Sequence, residues 1–276
     1  MTEENYNYRT SQTLLRNQFP GKGKLQIPII PKFQERPGDF DDFLLIGFDK
    51  THLEDQNHLD RMVHFFLYDY RFERVWKNPD NDIEKLSRYR AVLSPDFSMY
   101  LEMARVCQIY NVFRNRWCGA YWASKGMRVV PTVNWGDEST FEFCFDGIER
   151  GSVMAVSTYM ASAHDNREDQ KDWFLAGYNE MLRRIEPEKI ICYNTPFPEM
   201  QELAQKHGVA LLRSNETTCT LMGSLISVLN LELAPRITRH GVLVEVYGEG
   251  ILILGDSGIG KSELAIELVK RGHRLV

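Results

Sequence analysis

Gly250-Ile-Leu-Ile-Leu-Gly-Asp-Ser-Gly-Ile-Gly-Lys-Ser262 joins a short apolar run to the pattern Gly-x-x-x-x-Gly-Lys-Ser, which occupies residues 255–262. Such a loop works only between a strand and a helix, and both are readable here. The apolar run is a strand. Leu264, Ala265, Leu268 and Val269 recur at helical spacing behind the loop, and Gly272 reads as the helix stop. Glycine-rich backbone lets successive N–H groups turn inward as an anion nest, so Gly255, Asp256, Ser257, Gly258, Ile259 and Gly260 are expected to wrap phosphate oxygens. Lys261 adds a positive charge, the helix adds its positive end, and the Ser262 hydroxyl is placed to bind a magnesium ion. Only residues 263–276 follow.

The rest of the chain has a different composition. All five tryptophans (Trp76, Trp117, Trp122, Trp135, Trp173) fall in the first two thirds, and Tyr247 is the one Phe, Tyr or Trp after Phe197. The shift points to two segments joined near Pro196-Phe-Pro-Glu-Met200. With 276 residues, 43% of them hydrophobic, the chain can bury one large core or two modest ones. A net charge of −5 argues against nucleic acid as the main partner. No signal pattern and no apolar run of about 18 residues is present, so a soluble cytoplasmic protein is expected, with no membrane partner. Five scattered cysteines without a C-x-x-C pair read as reduced thiols.

Residues 1–40 are polar and punctuated by Pro and Gly, and read as an extended or partly ordered arm. Beyond them, strands alternate with helices. Strands are predicted at 43–48, 89–93, 127–133, 152–157 and 189–193, and helices at 59–74, 98–125 and 167–185. This alternation predicts an α/β fold with a parallel sheet, open or barrel-like. Polar residues at the C-terminal ends of such strands gather on one edge, where ligands of α/β proteins usually bind. Asp49, Asp96, Asn134, Ser157 and Asn194, with Trp135 and Tyr159 beside them, form a candidate site on that basis. The alternative is that they only cap helices and make turns. In the helix over 98–125, Met103, Cys107, Tyr110, Arg114, Trp117 and Tyr121 share a face that reads as core with arginine stems at its rim, against a nucleic-acid stacking surface.

The tail continues with a helix over 200–208, a strand over 209–213, a capped helix from 214 to about 231, and a Gly248-Glu-Gly250 hairpin turn ahead of the loop. Leu231-Glu-Leu-Ala-Pro-Arg-Ile-Thr-Arg-His-Gly-Val-Leu-Val-Glu-Val-Tyr-Gly248, the loop itself and Lys270-Arg-Gly-His-Arg-Leu-Val276 together resemble bacterial HPr(Ser) kinase/phosphorylase from about residue 199 onward. The resemblance implies a P-loop kinase domain that uses ATP or pyrophosphate with Mg2+ to phosphorylate a serine of the phosphocarrier HPr. It also implies the reverse phosphorolysis, homohexamers and a place in carbon catabolite control. It gives Gly255–Ser262 the phosphates, Ser262 the metal, Lys261 the charge on the transferring group, and His240 a catalytic position near the phosphates. Taken alone, His240 before a glycine could equally be a turn residue.

The same resemblance sets two further expectations. An aspartate that takes the serine proton, together with the HPr-binding region and the hexamer-building helices, would follow Val276, so this chain is expected to be catalytically incomplete. The expected organisation is an arm (1–40), an α/β domain of unknown function (41–197), a remnant of the kinase family's N-terminal domain (198–233) and an incomplete P-loop kinase domain (234–276). Phe43-Leu-Leu-Ile-Gly-Phe-Asp49 and Val130-Pro-Thr-Val-Asn-Trp135 resemble a bacterial and phage-associated domain family of unknown function. The competing reading is a non-enzymatic α/β protein with a vestigial or nucleotide-binding tail.

Overall fold

The computed structural model describes residues 3–159, 168–214 and 241–275. It divides into two compact units, Met1–Glu216 and Thr217–Val276.

In the first unit, short helices α1 (Glu3–Thr10) and α2 (Gln12–Leu15) precede a two-stranded hairpin, β1 (Gly21–Lys22) and β2 (Ile27–Pro28). Ile27, Ile30 and Phe33 are buried, so this part of the expected arm is core. Seven parallel strands follow. β3 (Leu45–Gly47), β4 (Met62–His64), β5 (Ala91–Leu93) and β6 (Val129–Val130) pair in chain order. β7 (Met154–Ser157), β8 (Lys189–Tyr193) and β9 (Ala210–Arg213) do the same. The two sets are joined by a parallel bridge between Thr132 and Ala155. At the opposite edges, the Leu45 N–H donates to Ser214 Oγ at 3.3 Å.

Side-chain alternation makes this arrangement barrel-like. Leu45, Met62, Ala91, Leu93, Val130, Ala155 and Ile191 form one cluster, with Leu212 packed against it, so every strand contributes to a single interior. The alternate residues Ile46, Val63, Val92 and Val129 face outward and pack with Trp117 and Trp122 of α5 (Arg105–Ser124). Met154, Val156, Ile190 and Cys192 pack under Tyr178, Met181, Leu182 and Ile185 of α6 (Glu168–Ile185). Smaller helices α3 (Arg74–Lys77), α4 (Ile83–Leu86) and α7 (Pro198–Lys206) complete the unit. Residues 198–213 therefore build into the barrel: Met200 and Ala204 of α7 are buried, and β9 pairs with β8.

Two predicted helices are corrected. Residues 59–74 hold no long helix, because Met62, Val63 and His64 are consecutive buried residues of a parallel strand, and Phe65 just after it is buried too. A strand covered on both faces shows no alternation, and its apolar run happens to match helical spacing. The helix predicted over 98–125 begins only at Arg105. Ser98 does not cap it, since its N–H and Oγ both bond the Asp69 carboxylate. Of the expected inner face, Arg114 and Trp117 are buried while Cys107 and Tyr110 are exposed, and Gln108, Asn111, Asn115, Cys118 and Trp122 are buried besides. Cys118, Cys144 and Cys192 are buried free thiols, and Cys219 lies outside the described residues.

The second unit contains β10 (Gly241–Val246), β11 (Glu249–Leu254), α8 (Lys261–Lys270) and β12 (Arg274–Leu275). β10 lies between the other two strands and is antiparallel to both. The hairpin turn is Tyr247-Gly248, one step ahead of the predicted position, with φ of +53° and +88°. Two left-handed residues are what a two-residue hairpin needs to match strand twist. The helix expected from 214 to about 231 lies outside the described residues.

Candidate functional site

The C-terminal ends of the barrel strands carry a polar edge. Asn134 Nδ2 donates to Asp96 Oδ1 at 2.8 Å and to the Phe97 carbonyl at 2.8 Å. Burial pushes the Asp96 carboxyl up to about 8, with the Asp69 charge adding to the effect. Asp49 is an ion-pair partner of Arg71, with Arg71 Nη1 at 2.5 Å. Its field opposes the burial that lowers His64 to about 3. The His64 ring, 3% exposed, lies 4.6 Å from the Tyr193 ring and 5.6 Å from that of Phe66. Its Nδ1 accepts the Phe66 N–H at 3.2 Å, which leaves the proton of the neutral ring on Nε2. Ser157 ends β7 opposite Tyr193, and its Oγ accepts the Tyr159 N–H. Asn194 follows Tyr193 with φ of +69°.

The structure thus joins Asp96 to Asn134 directly and sets Ser157 and Asn194 at the ends of the neighbouring strands β7 and β8, with Asp49 just after β3. Trp135 packs elsewhere. Its ring lies 5.1 Å from Phe174 and so close to Gly177 of α6 that a β-carbon there would sit 2.2 Å from Trp135 Nε1. Sequence reading missed His64, because its strand was taken for a helix. It also missed Arg116, which is 1% exposed and donates to Asn115 Oδ1 and the carbonyls of Thr132, Cys144 and Asp146. The run Met62-Val63-His64-Phe65-Phe66 was the available signal for His64. Nothing in the sequence distinguished Arg116 from the arginines around it.

In the second unit, β11 leads through residues 255–260 into α8. Gly258 and Gly260 have φ of +86° and +96°, the left-handed region in which a side chain is strained. Gly260 caps α8 without a side-chain hydrogen bond, so the positive end of the helix is left to the loop. Lys261 is buried, and its Nζ donates to the carbonyls of Gly255 and Asp256 at 2.7 Å each. Asp256, Ser257, Ile259 and Ser262 are exposed around it. His240 lies outside the described residues.

Comparison with known proteins resolves the first unit's ancestry. The model of a domain of unknown function, DUF4417, matches residues 20–208. The chain belongs to the DUF4417 family. Beyond the DUF4417 span, the model of the HPr Serine kinase C-terminal domain matches residues 231–276. The Gene 1 protein of Mycobacterium phage L5 is 42% identical over 131 residues, covering 48% of this chain and 56% of the phage protein. The HPr kinase/phosphorylase of Caldicellulosiruptor bescii is 58% identical over 97 residues, 35% of this chain and 31% of that enzyme. That of Lachnoclostridium phytofermentans is 49% identical over 108 residues, 39% and 35% respectively. The chain thus spans about half of the phage relative and about a third of the kinases. Both resemblances drawn from the residues hold, as does the parallel α/β class. No helix among the described residues is long and apolar enough to cross a membrane.

Proposed function

We propose that the second unit holds the phosphates of ATP or pyrophosphate in the manner of HPr kinase/phosphorylase. The observation that carries this reading is Lys261, a buried ammonium tied to two carbonyls of its own loop at 2.7 Å. A polyphosphate entering the loop offers that ammonium a charged acceptor in place of two neutral ones, and charge-assisted bonds are the stronger kind. The left-handed glycines would let backbone N–H groups turn toward a bound phosphate, and the uncapped start of α8 favours negative charge there. Ser262, exposed at the first turn, would hold Mg2+, which when bound neutralises charge between adjacent phosphates. His240 would stand close to the phosphates, and Lys261 would stabilise charge on the transferring group. HPr as substrate, homohexamer assembly and a role in catabolite control belong to the same proposal, with residues 234–276 as its kinase part and 198–233 as kinase-family ancestry.

Calorimetric titration of the full chain with ATP and MgCl2 tests it. Binding is expected, and Lys261→Ala should weaken it at least tenfold. An unchanged affinity in Lys261→Ala, or no binding at millimolar ATP, would sink the reading and favour a vestigial tail. Serine phosphorylation of purified HPr, followed by mass, separates phosphate holding from transfer.

A further inference from the structure

The opposite end of the barrel carries a cavity that the nucleotide reading leaves unused. It measures about 370 Å³ and lies where the chain enters β5 and β6, at the C-terminal end of α5. Arg36, Arg88, Arg90, Lys125 and Arg128 line it, and no aspartate or glutamate does. In a chain of net charge −5, such a concentration of one sign costs self-repulsion unless something offsets it.

The charges are held in place, and most of them have no ion-pair partner among the described residues. Arg88 Nη2 donates to the Asp55 carbonyl at 2.9 Å, and Arg90 Nη1 to the Asp39 carbonyl at 3.1 Å. These bonds orient the two guanidinium groups, and the Asp39 carboxylate also feels the charge of Arg90. Of the five, Arg128 is the one with an ion pair among the described residues, through both of its terminal nitrogens to the Asp39 carboxylate. Arg36 and Lys125 are exposed; the Arg36 backbone N–H donates to Asp39 Oδ2 at 2.6 Å, the Lys125 ammonium lies 5.1 Å from the centre of the Tyr121 ring, and neither side chain has a carboxylate partner among the described residues. The remaining wall mixes apolar Leu59, Leu86 and Met127 with Ser87 and Tyr89.

We infer that this cavity binds a small phosphate ester. Guanidinium forks fixed by carbonyls match phosphate oxygens in geometry and charge. Leu59, Leu86 and Met127 can pack against the organic body of such an ester, and Ser87 and Tyr89 can meet its hydroxyl groups. The volume falls at the lower end of the range for small-molecule sites, about 300–1,000 Å³, which fits a mononucleotide or sugar phosphate. A concave surface of one sign also concentrates the field on a small anion.

The test uses the full chain carrying Lys261→Ala, which disables the other phosphate site, with AMP as the probe and calorimetry as the readout. AMP is expected to bind this chain, more weakly as salt rises. Adding Arg36→Ala and Lys125→Ala should lower the affinity at least tenfold without changing the melting temperature, since both side chains are exposed. No AMP binding at millimolar concentration by the Lys261→Ala chain overturns the proposal. So does an affinity unmoved by the two further substitutions, or a clear preference for a single-stranded oligonucleotide over AMP. Because Lys261 is absent throughout, failure here leaves the nucleotide reading of the second unit untouched.

Discussion

Two side chains at the barrel edge hold protonation states set by burial, and their effects on stability oppose each other. His64 titrates near 3 in the fold and near 6.5 in the unfolded chain. The unfolded state therefore binds more protons between those values, and stability is lost as pH falls from about 6.5 toward 3. Asp96 titrates near 8 in the fold and near 3.9 unfolded. The native state then binds more protons, and stability is lost as pH rises from about 4 through 8. Of the two, only Asp96 acts above pH 6.5. The melting temperature should fall between about pH 6.5 and 8, and Asp96→Asn should flatten that decline; a decline of equal slope in Asp96→Asn would refute the assignment. Asp96 was legible as a strand-end carboxylate, because Tyr89-Arg-Ala-Val-Leu93 reads as a strand. His64 was not, since burial on both faces of Met62–His64 erased the period that would have marked it.

Helix α5 illustrates why element boundaries and faces were harder to read than the existence of elements. Twenty residues of helix were visible from spacing and from the Gly126 stop, but the inward face is lined with Gln108, Asn111, Asn115 and Arg116. Such residues are acceptable inside only because each finds partners, as Asn115 does in the Pro95 and Thr132 carbonyls. Those partners come from distant segments, so no local pattern announces them. The apolar half of the helix rests on Trp122, which is fully buried and stacked on Phe65 at 5.4 Å. Trp122→Ala should cost about 3–5 kcal/mol in chemical denaturation. Trp122→Phe should cost less than about 1.5 kcal/mol, because the indole N–H it removes has no acceptor among the described residues. By contrast Lys189–Tyr193 was read to the residue, since Pro187 and Asn194 punctuate a clean apolar run.

Two ancestries meet in one chain, and the barrel extends past the composition shift that first suggested their junction. Leu212 of β9 packs against the interior, and α7 buries Met200 and Ala204, so a chain ending at Ser214 should melt cooperatively. One ending at Phe197 lacks both elements and exposes the edge of β8; it should lose its near-ultraviolet circular dichroism. Equal cooperativity in the two would show that the last strand is dispensable. The shift near Phe197 was legible because aromatic content drops there, but strand pairing is a matter of partners rather than composition. Six of the seven junctions around the barrel are made by backbone bonds, whereas β3 and β9 meet through the Ser214 hydroxyl alone among the described bonds. A hydroxyl rotates freely and can turn to water, so this junction opens before the others do. The amide of Leu45 should therefore exchange its hydrogen for deuterium sooner than those of Val92 or Ala155, and the cylinder should breathe along that one line.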